Sequence, residues 1–242
     1  MQNVLITGAS GGIGSACAKI FAENGFRVFV HYNKNKEKAF SVCDLLKQGG
    51  ADAVPMHADL TDSVQVGKMF DEIAAHYGSI DVLINNAGIA QQKLFTDITE
   101  AEWDNLFNVN VKGMYLCTKL ALPSMINKKS GSIVNISSMW GITGASCEVH
   151  YSAAKAAVIG FTKALAKEVG PSGIRVNCIA PGAVYTEMNS ALTKEDIDAL
   201  CDETPLGRIA TCDEIAKAVY YMAVVDSFST GQVLSPNGGL VI

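Results

Sequence analysis

Short runs of apolar residues alternate along the chain with longer stretches in which apolar residues recur every three or four positions. The runs at residues 2–6, 27–32, 53–57, 81–84, 132–136, 175–179 and 232–235 predict β-strands. Helical spacing fills the gaps, notably over roughly residues 62–77, 102–127, 151–169 and 212–225. This alternation predicts an α/β fold, a single Rossmann-like doubly wound parallel sheet with helices on both faces.

The composition favours a globular protein with neither a nucleic-acid nor a membrane partner. Apolar residues make up 49% of the 242 residues, charged residues 18%, and the net charge is −5. No apolar run reaches the length of a membrane span, about 18 residues. Because Met1 leads directly into the first predicted strand, we expect no signal peptide, and the seven cysteines contain no Cys-x-x-Cys pair. We therefore expect a cytoplasmic protein with reduced thiols. The four histidines show no metal-binding spacing.

A glycine-rich segment joins the first predicted strand to the first predicted helix. Residues 7–14 read TGASGGIG, with the spacing Gly-x-x-x-Gly-x-Gly. Glycines at such a junction let the backbone approach a pyrophosphate, which the helix N-terminus attracts. The alternative is a tight turn that needs positive φ. The strand before the segment and the helix after it favour a dinucleotide site.

The end of the second strand indicates which dinucleotide is bound. A site for NAD usually places an acid there to bind the ribose hydroxyls. Residues 32–36 instead read YNKNK, and the first acid is Glu37. Lys34 or Lys36 could pair with a 2′-phosphate, although both lysines could simply belong to a solvated helix start. The sequence favours NADP(H).

Tyr151 and Lys155 stand four residues apart in a predicted helix, so their side chains share one face. Most such pairs are ordinary helix surface. A phenol has a pKa near ~10, but a cation beside it favours the phenolate and brings the pKa toward the working range. Ser138 lies thirteen residues upstream, on another element, and its hydroxyl could hold a carbonyl oxygen. The three residues predict acid–base chemistry at a carbonyl or an alcohol.

Taken in order and spacing, these segments resemble the short-chain dehydrogenases/reductases over nearly the whole chain. Residues 7–14 match that family's TGxxxGxG, residues 85–88 match its NNAG, and residues 181–182 match its PG segment. Asp59 matches its adenine-contacting Asp. One departure is Gly11, because many NADP-dependent members carry Arg or Lys there.

The resemblance implies the residues of the site. The expected catalytic residues are Asn110, Ser138, Tyr151 and Lys155. The expected coenzyme contacts are Gly8, Ser10, Gly12, Ile13, Gly14, Tyr32, Asn33, Lys34, Asp59, Leu60, Asn86, Ala87, Gly88, Tyr151, Lys155, Pro181, Gly182 and Thr186. We expect one domain over residues 1–242, with a cofactor half over about residues 1–130 and a catalytic and substrate half over about residues 131–242.

The same resemblance implies a mechanism without a metal. Ser138 is expected to hydrogen-bond the carbonyl oxygen, and Tyr151 to give that oxygen a proton as hydride arrives at carbon. Lys155 is expected to lower the pKa of Tyr151 and to bind the nicotinamide ribose. Asn110 is expected to hold a water that links Lys155 to solvent.

The substrate is suggested by a closer similarity to bacterial 3-oxoacyl-(acyl carrier protein) reductases of fatty acid biosynthesis. Residues 135–138, 158–163, 205–208 and 230–233 carry it. It implies a carrier-bound ketone and an acyl carrier protein as partner. That carrier is acidic, and Ser172 stands where those reductases often have a basic residue. Lys128 and Lys129 remain as a possible basic dock.

Other functions stay open. Residues 138–141 and 144–148 resemble the reductases that finish the 5-aminopentanone modification of a lysine on elongation factor P. Trp140 and Glu148 would suit a cationic amino group, although Trp140 could simply pack. A sugar or steroid alcohol dehydrogenase is a further enzyme reading. A catalytically silent nucleotide-binding partner would have lost a catalytic residue, and none is lost here.

An acidic segment at about residues 186–204 separates the PG segment from the next helix. It contains one base, Lys194, and six acids, namely Glu187, Glu195, Asp196, Asp198, Asp202 and Glu203. The position predicts a mobile lid over the substrate. A plain acidic surface helix is the alternative.

Two predicted helices carry apolar residues beyond one face. They are Met114, Leu116, Leu120 and Leu122 on the first, and Ala154, Val158, Phe161 and Leu165 on the second. A monomer would expose part of this surface, and the resemblance implies that the two helices pair across a two-fold axis in a homotetramer. The alternative is that both stripes face only the sheet.

Overall fold

The structure is a computed structural model that describes residues 1–186 and 193–242. Its strands are β1 Asn3–Ile6, β2 Arg27–Tyr32, β3 Ala53–His57, β4 Val82–Asn85, β5 Gly131–Ile136, β6 Ile174–Ile179 and β7 Val233–Leu234. They pair in parallel in one sheet, in the order β3-β2-β1-β4-β5-β6-β7. The predicted doubly wound parallel sheet is confirmed, and no predicted strand is displaced by more than one residue at either end.

The helices lie between the strands. They are α1 Gly12–Glu23, α2 Lys36–Gln48, α3 Ser63–Tyr77, α4 Glu100–Phe107, α5 Gly113–Lys128, α6 Trp140–Thr143, α7 Val149–Val169, α8 Lys194–Glu203 and α9 Cys212–Tyr220. The structure differs from the sequence prediction in two long helices. The one predicted over roughly residues 102–127 is interrupted by a turn of π-helix, Asn108–Lys112. The one predicted over roughly residues 212–225 ends in another, Tyr221–Val225.

Both faces of the sheet are covered by apolar helix surfaces. Successive side chains of a strand point to opposite faces, so Val4 and Ile6 of β1 join the core beneath α1, α2 and α9, whereas Leu5 joins the core beneath α3, α5 and α7. Burial on both sides explains why inner strands such as β1 and β4 read as apolar runs in the sequence.

The order of the strands places a crevice where the chain reverses direction across the sheet. From β1 the chain proceeds to β2 and β3 on one side, and from β4 to β7 on the other. In open α/β sheets, ligands bind outside the carboxyl ends of the strands at this switch point. Residues 7–14 follow β1, Asn86 follows β4, and Ser138 follows β5, so the predicted site residues converge on that crevice.

Buried amides tie the central strands to the helices behind them. Asn85 on β4 donates from Nδ2 to Asn135 Oδ1 on β5 (2.8 Å) and to Thr118 Oγ1 on α5 (3.0 Å). Asn135 in turn donates to Thr162 Oγ1 on α7 (2.9 Å). Because unpaired amides are costly inside a core, these bonds fix the positions of β4, β5 and α7 relative to one another.

The acidic segment is described only in part. Glu187 and the rest of residues 187–192 lie outside the described residues. The part that follows is helix α8, which Thr193 and Asp196 cap reciprocally. Its acids are exposed. Within the described ranges, none of the helices is both long enough and apolar enough to cross a membrane.

Candidate active site

Ser138 lies in the turn that follows β5. Its neighbour Ser137 donates from the backbone N–H to Ile179 O (2.7 Å) and from Oγ to Lys155 O (2.7 Å). The backbone N–H of Trp140 donates to Ser138 Oγ (3.2 Å). The turn is therefore held by β6 on one side and by α7 on the other. Sequence reasoning missed Ser137, whose only signal was its place beside Ser138.

Tyr151 and Lys155 lie on one face of α7, as their spacing predicts, and both are buried. Lys155 Nζ lies 5.6 Å from the centroid of the Tyr151 ring and donates to Ile136 O (2.9 Å). That carbonyl is the last of β5. The ammonium is thus anchored to the strand that leads to Ser138, and the structure brings the three predicted residues together.

The structure differs from the sequence prediction on the acidity of Tyr151. Burial raises the pKa of Tyr151 to about 12, while a hydrogen bond with Ser138 lowers it and the charge of Glu148 raises it. Burial also lowers the pKa of Lys155 to about 8. In this chain, desolvation is the largest influence on the pKa of the phenol, and the expected lowering by the lysine is not seen. At neutral pH the phenol keeps its proton, which is the state needed to protonate a carbonyl oxygen.

Asn110 lies in the π-helical turn between α4 and α5. Its Oδ1 accepts from Ile89 N (2.8 Å), and its Nδ2 donates to Ile89 O (2.9 Å). An added Cβ on Gly88 would lie 3.2 Å from Asn110 Oδ1 and 3.4 Å from Lys155 Nζ. The missing side chain at Gly88 therefore leaves the space in which Asn110 and Lys155 approach each other. Such single π-turns occur often at functional sites.

The glycine-rich turn and the NNAG segment form one cradle. Asn86 Nδ2 donates to Thr7 O (2.9 Å) and Gly8 O (3.1 Å), and Thr7 Oγ1 accepts from Asn86 N (2.9 Å) and Ala87 N (3.0 Å). Gly8 has φ +63°, and a Cβ on Gly14 would clash with Gly8 O. No side chain caps the start of α1. The uncapped N–H groups and the open backbone fit the pyrophosphate of a dinucleotide.

The predicted adenine side of this cradle lies at the ends of β2 and β3. Thr61 donates to the Asp59 carboxylate from its backbone N–H (2.9 Å) and its Oγ1 (2.8 Å). These bonds, together with one from Asn33, hold the pKa of Asp59 below its usual value. The Tyr32 ring packs 5.3 Å from that of His57. Leu60, which follows Asp59, is buried.

Two lysines were candidates for a 2′-phosphate, and the structure separates them. Lys36 Nζ lies 5.5 Å from the centroid of the Phe40 ring, so it has a cation–π partner within its own helix. Lys34 is exposed just beyond β2. Of the two, Lys34 is better placed to meet a phosphate beside Tyr32.

The PG segment borders both the cradle and the Ser138 turn. Met139 N donates to Pro181 O (2.9 Å). A Cβ on Gly182 would lie 2.7 Å from the backbone of Asn237, and Thr186 Cγ2 is 3.5 Å from the position of a Cβ on Gly12. Thr186 therefore lies beside the glycine-rich turn, as a residue closing over a bound coenzyme should. The predicted contacts Ser10 and Ile13 lie in that turn and at its entry into α1.

The rim of the site is formed by two joined loops. The N–H of Lys93, in the loop after β4, donates to Cys147 O, in the loop before α7 (2.7 Å). Large apolar side chains are exposed on these loops and on the adjoining helices, namely Leu94 and Phe95 after β4, Ile142 on α6 and Val149 at the start of α7. Glu148 is partly buried beside Tyr151, and burial raises its pKa. Among the described residues, no hydrogen bond or ion pair engages its carboxylate. The rim is thus apolar with one unpaired acid.

His31 is a second residue that sequence reasoning missed. It occupies an inward position of β2, two residues after the buried Phe29. Its ring accepts from Gly8 N through Nδ1 (3.0 Å) and donates through Nε2 to Ala58 O (3.0 Å). The signal was available, because a polar residue at an apolar position of an inner strand needs buried partners.

Comparison with known proteins agrees with this geometry. A family model described as short chain dehydrogenase matches residues 2–197. The 3-oxoacyl-(acyl-carrier-protein) reductase FabG of Staphylococcus aureus is 39% identical over 240 residues, covering 99% of this chain and 98% of that protein. The FabG of Chlamydia muridarum is 40% identical over 238 residues, covering 98% of this chain and 96% of that protein. The uncharacterized oxidoreductase YmfI of Bacillus subtilis is 42% identical over 240 residues, 98% of either chain. The chain belongs to the short-chain dehydrogenase family, and it is an oxidoreductase of carbonyl and hydroxyl groups that uses a nicotinamide coenzyme.

Proposed function

We propose that this protein is an NADPH-dependent carbonyl reductase acting on a 3-oxoacyl thioester. The observation that carries the proposal is the grouping of Ser138, Tyr151 and Lys155 at the carboxyl end of β5, with the Ser138 hydroxyl near enough to the Tyr151 phenol to lower its pKa. A carbonyl oxygen placed between those two hydroxyls would meet two donors. Such a site serves reduction of a ketone, and the relatives named as 3-oxoacyl reductases favour a thioester.

The reaction divides between the coenzyme and this chain. Bound in the cradle, the coenzyme supplies the hydride. Ser138 donates a hydrogen bond to the substrate oxygen and fixes its direction. Tyr151 gives that oxygen a proton. Lys155 stabilises the phenolate left behind, because its ammonium lies over the same ring. Asn110 holds the Gly88–Ile89 backbone against Lys155.

The apolar rim supports an acyl substrate, whereas the basic dock, Lys128 and Lys129, is less well placed to bind an acyl carrier protein. The exposed apolar side chains around the site would contact an acyl chain. Lys128 donates to Asp81 Oδ1 (2.7 Å). Lys128 and Lys129 precede the amino-terminal end of β5, whereas Ser138 follows its carboxyl end. Within one chain the two lysines are therefore about 20 Å from Ser138, the length of the strand. An acyl carrier protein docked there would have to span that distance.

One observation favours the second candidate, the reductase of 5-aminopentanone-modified elongation factor P. Glu148 places a partly buried carboxylate near Tyr151 without a cationic partner in the described part of the chain. A substrate with an amino group would supply that partner.

A panel of substrates tests the proposal. NADPH oxidation is followed with acetoacetyl-CoA, an acyl-carrier thioester, aminopentanone-modified elongation factor P, sugars and simple ketones. The highest kcat/KM is expected for a 3-oxoacyl thioester. A higher value for the modified protein would establish the second candidate instead. Turnover of sugars or simple ketones alone would overturn both.

We infer that the coenzyme preference rests on Lys34. Replacing it with Glu is expected to lower kcat/KM for NADPH by about tenfold or more, because a carboxylate repels the 2′-phosphate. The value for NADH should change little. The matched control is Lys36→Glu, since Lys36 is directed at Phe40. Steady-state kinetics with both coenzymes decides. A wild type that uses NADH at least as well as NADPH would refute the preference. The alternative probe, Tyr32→Asp, is less clean because Tyr32 is buried against His57.

We also infer a homotetramer. The exposed Tyr115, Leu120 and Ile126 on α5 support it, although Met114, Ala154 and Val158 of the predicted stripes pack within the chain's own core. Light scattering should give the mass of a tetramer for the wild type and a smaller mass for Leu120→Glu. The same change at the exposed Leu45 on α2 is the control. A monomeric wild type would contradict the inference.

We further propose one domain over residues 1–242 that acts in the cytoplasm. Strands from both halves of the chain share one sheet, which supports a single folding unit. All seven cysteines are free thiols, in keeping with a reducing compartment.

A further inference from the structure

His31 connects the two walls of the coenzyme cradle through a single buried ring. Gly8, on the glycine-rich turn, donates to Nδ1, and Nε2 donates to Ala58 O at the end of β3. The backbone carbonyl of His31 also accepts from Ala9 N (2.9 Å). The turn that faces the pyrophosphate is therefore held at two successive N–H groups by one residue. The other end of the ring holds the residue before Asp59.

The two bonds define the protonation state of the ring. A backbone N–H can only donate, so Nδ1 must be unprotonated, and a carbonyl can only accept, so Nε2 must carry the proton. Only the neutral Nε2–H form satisfies both partners. Burial lowers the pKa of His31 to about 4, with a smaller lowering by His57 and opposing contributions from the Ala58 bond and Asp59. The ring stays neutral wherever the enzyme is expected to work.

We propose that His31 is a positioning residue for the coenzyme, acting through the hydrogen bond that it accepts from Gly8. Gly8 has φ +63° and a Cβ there would meet the backbone of Ala87, so the turn is confined on its other side by the NNAG segment. The imidazole of His31 holds the turn on the opposite side, through the bond from Gly8 N. The inference rests on the proposed coenzyme site, but it does not depend on which ketone is reduced.

If His31 had a purely structural role, loss of either of its two ring bonds would have the same effect on coenzyme binding. Two substitutions can remove these bonds one at a time. Asn places a polar atom near the position of Nδ1, and Gln places one near the position of Nε2. His31→Asn therefore keeps an acceptor for Gly8 and loses the bond to Ala58. His31→Gln keeps a donor for Ala58 and leaves the Gly8 N–H buried without an acceptor. Each variant loses one bond, so their losses of thermal stability should be similar.

The experiment measures the Kd of NADPH by fluorescence, without a ketone, for the wild type and both variants. We expect His31→Gln to raise Kd by about tenfold or more and His31→Asn by about threefold or less, with kcat at saturating coenzyme nearly unchanged in both. Equal Kd values in the two variants, raised or not, would overturn the proposal and leave His31 as a core residue. A wild type that binds no nicotinamide coenzyme would refute the proposed function instead.

A measurement on the wild type covers the case in which a variant does not fold. Histidine-selective ¹⁵N labelling reports the tautomer of each of the four imidazoles. We expect His31 as a neutral Nε2–H ring whose Nδ1 signal shifts when NADPH is added. A charged ring, the other tautomer, or an Nδ1 signal that does not shift when NADPH is added would each contradict the proposal.

Discussion

Replacing Tyr151 with Phe is expected to lower kcat by about a thousandfold or more while leaving the Kd of NADPH close to that of the wild type. In the proposed mechanism the phenol gives the substrate oxygen its proton, and loss of general acid catalysis typically lowers rates by about 10²–10⁴. The ring itself is buried in the cluster formed with Leu106 and Ala154, and Phe preserves that packing. Single-turnover kinetics and coenzyme fluorescence measure the two quantities separately.

The neighbouring hydroxyl provides the comparison for this result. Ser152 is buried one residue along α7, and its Oγ accepts from Ala145 N (3.1 Å), away from the proposed chemistry. Ser152→Ala removes a buried hydroxyl from the same helix and should retain most of the turnover. Full activity in Tyr151→Phe, or an equal loss in Ser152→Ala, would show that the phenol is not the proton donor.

The inner strands could be predicted because β1, β2, β4, β5 and β6 are buried on both faces, whereas β3 and β7 at the edges of the sheet are only partly buried. β1 and β4 each contain three consecutive apolar residues in four, a pattern that a surface strand would not show. The π-turn at Asn108–Lys112 could not be predicted. Local spacing there is helical, whereas the bonds that the Asn110 side chain makes within the turn go to Ile89, in another segment of the chain.

The candidate site was predictable where it depends on spacing and unpredictable where it depends on burial. Tyr151 and Lys155 share a helix face because of their separation in sequence. The pKa values of both residues follow from desolvation, which only the folded chain defines. The role of His31 was likewise unpredictable, because its partners Gly8 and Ala58 follow the ends of two other strands, β1 and β3.

Replacing Lys155 with Met is expected to impair catalysis and coenzyme binding without lowering the thermal stability of the fold. In the proposed mechanism the ammonium stabilises the phenolate of Tyr151, and the family resemblance implies that it also donates to the nicotinamide ribose; Met can do neither. We expect kcat to fall by about a hundredfold or more and the Kd of NADPH to rise by about tenfold.

The stability of the fold should not fall with catalysis in Lys155→Met, because the wild-type lysine is buried in its charged form. Its pKa is lowered from 10.5 to about 8, so below pH 8 the folded state holds a charge that it disfavours, at a cost of about 3 kcal/mol. This cost disappears as pH rises from 8 toward 10.5. Met removes it at every pH but loses the bond to Ile136 O, worth about 1–3 kcal/mol, and the contact of the ammonium with the Tyr151 ring.

The unfolding midpoint of Lys155→Met near neutral pH should therefore equal or exceed that of the wild type, and any advantage should shrink as the pH approaches 10.5, where the wild-type lysine becomes neutral in both states. Calorimetry across this range measures it. Lys163→Met, at an exposed lysine two turns along α7, should change neither activity nor midpoint. A Lys155→Met protein with wild-type kcat and Kd would remove Lys155 from the mechanism. A midpoint well below the wild type would show that its ammonium stabilises the fold, so that the catalytic loss could no longer be assigned to the missing charge alone.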